Sequence, residues 1–174
     1  MPSFRAGETK LLVGDMESCA GHVGPIIHAC KSPCYMAMAG TPREKDDPEY
    51  LAIEQSGMGI GGDQLYLNLI DPPLPLFKVQ SFITALDWID AHGVLDITAP
   101  DILIHCNQGA SRSPTIALLW MAKRARELGS TFAEARTAFS SPLIFNRGMG
   151  AMNYMPGAGI VTFLSDPENW NAIR

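Results

Sequence analysis

Apolar positions along the chain follow two periods, and the sharpest change between them falls in one nineteen-residue stretch, DILIHCNQGASRSPTIALL. Asp101 to His105 is a short apolar run with β-branched residues, the pattern of a buried strand. From Ser113 the apolar positions Ile116, Leu119 and Trp120 keep helical spacing until Lys123, predicting a helix to about Leu128 that Gly129 ends. Between them, Cys106 to Arg112 is small and polar, with Gly109 at its centre. Pro114 suits a first helical turn, where its missing N–H costs nothing, and Ser113 or Ser111 can cap. The stretch therefore reads as strand, tight loop and helix N-terminus. That arrangement aims backbone N–H groups and the positive end of a helix dipole at one spot, which suits an anion.

The remaining segments fall around this one. Residues 1–9 read as a loose lead-in and Lys10 to Val13 as a first short strand, turning at Gly14-Asp15. Ser18 to Gly24 reads as a short helix or turn, and Pro25 to Cys30 as a buried strand in which His28 is a satisfied core residue. The apolar run Cys34 to Ala39 predicts a further strand. Residues 40–62 read as a surface loop, with one short helix around Pro48 to Gln55. GMGIGG at its end lacks the preceding strand and following helix that a nucleotide-binding loop needs. Gln64 to Ile70 alternates as a central strand and stops at Asp71-Pro72-Pro73-Leu74-Pro75. A helix follows from about Leu76 to Ala91, with Phe77, Phe82, Ala85, Leu86 and Ile89 on one face. Thr131 and Glu134 form a capping box that starts a helix to about Phe139, and a last helix is expected between Met149 and Leu164. The order of elements predicts an α/β fold. Its central, mostly parallel sheet has four to five strands and is flanked by helices on both faces, with the Cys106 strand in the middle and the site at the strand C-terminal ends. Residues 1–174 are read as a single domain.

Composition narrows the classes. Hydrophobic residues make up 47% of 174, enough for a core, and the net charge of −5 gives no global basic surface for nucleic acid or anionic membrane. No apolar run approaches the roughly 18–20 residues needed to span a bilayer, and MPSFRAGETK has no signal-peptide core. The four cysteines, Cys19, Cys30, Cys34 and Cys106, show no disulfide-framework spacing, which favours a reducing cytoplasm. Cys30-x3-Cys34 has no further pair to complete a tetrahedral metal site and reads as two small buried hydrophobes.

The chemistry sits in Cys106-x5-Arg112. In the field of a helix N-terminus and an arginine, a thiol pKa can fall from about 8.5 into a range of roughly 3.5–7.5. Such a thiolate, beside a bidentate guanidinium fork, is a nucleophile aimed at phosphorus. HCNQGASRS with its following helix resembles the HCxxGxSRS motif of the dual-specificity branch of the cysteine-dependent protein tyrosine phosphatases. A second block, LNLIDPPLPLFKVQSFITALDWID, resembles the strand, acid loop and helix of the same family. The resemblance covers about residues 10–150 and is closest over 64–128. It implies a protein tyrosine phosphatase-like fold, a phosphorylated protein as partner, a reaction through a phosphocysteine, and no metal or other cofactor. It implies Cys106 as nucleophile, with Arg112 and the backbone of Asn107, Gln108, Gly109, Ala110 and Ser111 holding the phosphoryl oxygens. Asp71 would be the general acid, in preference to Asp87, Asp90, Asp96 and Asp101. Ser113 would donate to the sulfur, His105 would orient the loop, and Asn146, in a block similar to the family's P-N-x-G-F region, would bond back to it. The resembled family has an opening L-x-x-G strand at the sheet edge, which LLVGDM fits. A low-pKa thiolate also oxidises readily, with Cys30 or Cys34 as a thiol that could protect it.

The loop interior NQGAS contains no Lys or Arg. That leans toward a singly phosphorylated side chain, phosphotyrosine or phosphoserine/threonine. The alternatives are a phosphatase for a phosphoinositide or an RNA 5′-phosphate, and a phospho-binding module with weak catalysis.

Overall fold

A computed structural model describes residues 3–6, 9–57, 62–93, 101–124, 128–140 and 154–174. Its centre is a six-stranded sheet in the order β1-β2-β6-β3-β5-β4. The strands are β1 (Ser3–Ala6), β2 (Thr9–Gly14), β3 (Ile26–His28), β4 (Ala52–Gln55), β5 (Gln64–Leu67) and β6 (Ile102–His105). The four inner strands run parallel, and β1 and β4 close the two edges antiparallel. β6, the strand that leads to Cys106, lies between β2 and β3.

Strand alternation gives each face of the sheet its own cover. Leu11, Val13, Ile27, Leu65, Leu67, Ile102 and Ile104 point into the main core. Over them pack α2 (Val79–His92) and α3 (Arg112–Arg124), with α4 (Phe132–Phe139), α5 (Ala158–Ser165) and α6 (Pro167–Ile173) beyond. α3 is central: Ser113 to Ala122 are all buried, because the helix is wrapped by the sheet on one side and by α2 and α4 on the other. Truncating Leu119 or Trp120 there would cost roughly 2–5 kcal/mol. The other face carries a 3-10 turn, Glu17–Cys19, and a helical segment from Lys31 that continues into α1 (Met36–Ala39). There Tyr35 and Ala39 pack on Ile53 of β4 beside Tyr66 of β5.

The α2 face buries Phe82, Ala85, Leu86 and Ile89 as the periodicity predicts, and Phe77 is buried just before the helix. The capping box at α4 is present: Glu134 N–H donates to Thr131 Oγ1 at 3.3 Å, and Thr131 N–H donates to a Glu134 carboxylate oxygen at 3.2 Å. Five expectations need correction. The sheet has six strands where four to five were expected, because β1 and β4 add an antiparallel edge on each side. Cys34 to Ala39 is helical: Tyr35 and Ala39, four apart, face the same small cluster, and Gly40, at φ 69°, ends the turn. Residues 52–55 form an edge strand where a helix was expected, since β5 needs a partner and Ile53 is the buried position of the pair. The lead-in contains β1, so LLVGDM occupies an inner strand instead of the edge. The helix expected between Met149 and Leu164 is α5, from Ala158, and the last helix is α6, which begins after Asp166, whose carboxylate accepts from Glu168 N–H. The expected sites Asn146 and most of GMGIGG lie outside the described residues.

Candidate active site

The loop after β6 is pinned from three directions. Cys106 N–H donates to Gly14 O at 3.3 Å and Met16 N–H to Asn107 O at 3.4 Å, which moor it to the end of β2. Gly109 has φ 67°, and a Cβ there would stand 3.0 Å from the Gly14 carbonyl carbon. Glycine is thus required both for the left-handed backbone and for the close approach. On the other side, Met155 N–H donates to Ala110 O at 2.8 Å and Gly157 N–H to Ser111 Oγ at 3.0 Å. α3 begins at Arg112, and Thr115 N–H closes its first turn on Ser111 O at 3.0 Å.

Within this frame Cys106 is 2% exposed. Burial alone would raise its thiol pKa. Hydrogen bonds from Ser113 Oγ–H, at 3.2 Å, and from the backbone N–H groups of Ser113 and Gln108, with the charge of Arg112, more than offset that. The thiol is held below its ordinary value. Ser113 Oγ also lies 3.1 Å from Gly14 O, so the hydroxyl is locked between strand and sulfur. Arg112 reaches across to β5's extension, where its Nη1–H donates to Leu69 O at 3.0 Å. Its Nε–H is buried with no acceptor among the described residues, a donor directed by the fold and free for an anion's oxygen.

Asp71 follows Leu69 by two residues and is exposed. Its carboxylate lies against Gly157, where a Cβ would meet Asp71 Oδ1 at 2.3 Å, while Gly159 is equally tight against the carbonyls of Pro72 and Leu74. The proline-rich segment therefore rests on the N-terminal turn of α5, one residue pair away from the loop's Ser111. Gly157→Ala should push this carboxylate outward.

Behind the loop, on the sheet face turned away from α3, His105 is fully buried and its Nε2 lies 2.7 Å from His28 Nδ1. His28 Nε2 lies 3.0 Å from Gln64 Oε1, which also accepts from Tyr66 O–H, and Tyr66 stacks on the His28 ring. Burial pushes His28 down to about 4 and lowers His105 as well, so both rings are neutral at pH 7. His28 is the satisfied buried residue expected. Cys30 and Cys34 also approach the loop: a hydrogen bond from Cys34, together with Arg112, lowers the Cys30 thiol to about 7, while Cys34 is raised.

Asp71, Cys106, Arg112 and Ser113 are thus gathered at the C-terminal end of the parallel strands, although Asp87 and Asp90 lie on α2 among Lys123 and Arg124. Sequence reasoning missed Gly14, Leu69, Met155 and Gly157 as parts of the frame. The glycine pair in Pro156-Gly157-Ala158-Gly159 was the available signal, since small residues mark close backbone approach.

In sequence, no family model matches the chain and no curated protein matches it. In structure it is similar to phosphatases. The Yvh1 phosphatase domain from Chaetomium thermophilum superposes with a TM-score of 0.60 at 12% identity, over 98% of this chain and 96% of that one. Human tyrosine phosphatase-like serine/threonine/tyrosine-interacting protein gives 0.56 at 18% identity, over 94% and 91%. Human DUSP28 gives 0.55 at 14% identity, over 99% of each chain. The fold is a protein tyrosine phosphatase-like one. The loop motif, for its part, resembles that of the dual-specificity branch.

Proposed function

We propose that residues 1–174 form one cysteine-dependent phosphomonoester hydrolase domain, a dual-specificity protein phosphatase acting on phosphotyrosine and phosphoserine/threonine in a reducing, cytoplasmic setting. The observation that carries this reading is the buried Cys106 thiol, held below its ordinary value 3.2 Å from Ser113 Oγ inside a loop closed by Arg112. In the first step the Cys106 thiolate attacks phosphorus in line, the S–P bond forms, and the P–O bond to the leaving group breaks. Arg112 and the N–H groups of 107–112 stabilise the charge on the equatorial oxygens. Asp71 gives its proton to the departing oxygen. In the second step a water attacks the phosphocysteine and passes a proton to Asp71. The S–P bond breaks, and the Ser113 hydroxyl stabilises the returning thiolate. His105 serves the loop through its place in the buried network, and Asn146 is a further support from the sequence motif.

A binding module with weak catalysis is the second reading, favoured only by the likeness to a phosphatase-like interacting protein. Both Cys106 and Asp71 remain in this chain, which argues for turnover. Vanadate-sensitive hydrolysis of an aryl phosphate is the expected result; tight phosphopeptide binding without turnover would favour the module. A panel of phosphopeptides, phosphoinositides and RNA 5′-phosphates then reads the substrate class.

The pH–rate profile reads the nucleophile: activity rises with pH as Cys106, held below the ordinary thiol value, ionises. Asp71→Asn should lower kcat most for esters with poor leaving groups while leaving that rising limb in place. Equal losses for good and poor leaving groups in Asp71→Asn would place the acid elsewhere.

A further inference from the structure

The histidine pair behind the loop has a third neighbour. Cys19, half-buried on the 3-10 turn, contributes a sulfur that lies, with one nitrogen from each of His28 and His105, within 4.8 Å of the others. The turn packs on β2 and β6, so this convergence is built by the sheet and owes nothing to sequence spacing. That is why the cysteine pattern alone, which singled out Cys30 and Cys34, gave no ligand set.

Proton counting makes the arrangement specific. Two neutral imidazoles carry two ring N–H groups. Gln64 Oε1 accepts from Tyr66 and is therefore the carbonyl end, so it takes His28 Nε2–H. The lone pair of His28 Nδ1 then accepts from His105 Nε2–H. Both protons are used, and His105 Nδ1 remains a buried nitrogen without a hydrogen-bond partner among the described residues. An ion bound between the two facing nitrogens removes that defect. It takes both lone pairs, and the proton of His105 moves to Nδ1, on the side of the Cys106 backbone with which His105 interacts. His28 would then have the second-sphere carbonyl that metal-bound histidines require, already in place in Gln64.

We propose that Cys19, His28 and His105 form a binding site for a transition-metal ion of the zinc type. Two imidazole nitrogens and one thiolate suit Zn2+, and Co2+ as its stand-in, and do not suit Mg2+ or Ca2+. With Zn–N of about 2.0–2.1 Å and Zn–S of about 2.3 Å, tetrahedral ligands stand roughly 3.3–3.7 Å apart. The facing nitrogens, now 2.7 Å apart, need to part by about 0.6 Å to meet that spacing. Binding deprotonates the Cys19 thiol, so one proton leaves to solvent for each ion bound. Cys19, which is only half-buried, gives the ion its entry, and the fourth position is left to solvent. The site lies on the opposite face of the sheet from α3, and the proposal does not depend on the phosphatase reading.

The test is titration of the full-length reduced protein with Co2+ alone, followed by displacement with Zn2+. A thiolate-to-cobalt charge-transfer band in the near ultraviolet, saturating at one equivalent, is expected. Cys106→Ser and the double variant Cys30→Ser/Cys34→Ser should keep it; Cys19→Ser should lose the band and weaken binding roughly 100-fold. Gln64→Ala should keep the band but bind roughly 10–100-fold more weakly, as loss of an outer-shell partner does. Each variant is compared by circular dichroism, so that loss of folding is seen separately. No band, or a band that survives in Cys19→Ser and disappears in Cys106→Ser or in the Cys30/Cys34 variant, overturns the proposal.

Discussion

Cys106→Ser should lower turnover of an aryl phosphate by roughly four orders of magnitude or more, while a phosphopeptide still binds within a few-fold of the native affinity. The reasoning starts from what holds the sulfur. Its thiolate is favoured because Ser113 Oγ–H and two backbone N–H groups point at it and Arg112 adds charge. A serine hydroxyl in the same place has a far higher pKa, and His105, which faces His28 on the other side of the sheet, does not serve it as a base. The cradle would survive and the nucleophile would not. Rapid-quench analysis with labelled substrate should trap a phosphoenzyme in the native protein and none in the variant. Residual turnover above about one per cent of native would sink the assignment, since loss of a covalent nucleophile costs far more than that.

Arg112→Lys should be nearly as damaging, with kcat/KM reduced roughly 10²–10³-fold, the scale of losing a transition-state donor. The native guanidinium divides its work. Nη1–H holds the end of the Leu69 extension, which leads directly to Asp71, and the buried Nε–H has no acceptor among the described residues. A lysine keeps the charge but offers a point donor on a flexible stem, so it cannot serve both directions at once. Steady-state kinetics with vanadate inhibition measures the effect. A variant with near-native kcat and KM would show that the charge alone is sufficient and that the fork plays no part.

Three local patterns made the centre of the site readable in advance. A β-branched run, a glycine at Gly109 and a Ser-Pro helix start are each governed by interactions within a few residues, and they appear in the fold as written. The amphipathic face of α2 and the Thr131–Glu134 cap are legible for the same reason. The failures share the opposite cause. CYMAMA alternates well enough for a strand and repeats well enough for a helix, and only its packing on Ile53 decides the matter. β4 exists because β5 has an open edge, information stored some ten residues away. The Cys19, His28 and His105 cluster is further still from any local signal, being assembled by the turn after β2 and two neighbouring parallel strands. Among the acids, Asp90 is marked off from catalysis by structure alone: burial acts to raise its pKa, but Arg124, Trp120 and Lys123 lower it and hold it as a structural anion.

The anchoring of the loop by Met155 and Gly157 has a consequence for how the protein is made. The walls of the site come from residues 14–16, 69–71, 106–113 and 155–157, separated by long intervals of chain. A chain still emerging from the ribosome can pair its parallel strands once β6 is out, yet its loop lacks the two backbone donors that clasp Ala110 and Ser111 until synthesis has passed Gly157. A fragment ending before Tyr154 would therefore carry every residue of the CX5R motif and still present the thiol in an unclasped loop. The reactive centre is completed only by a segment translated well after the motif itself.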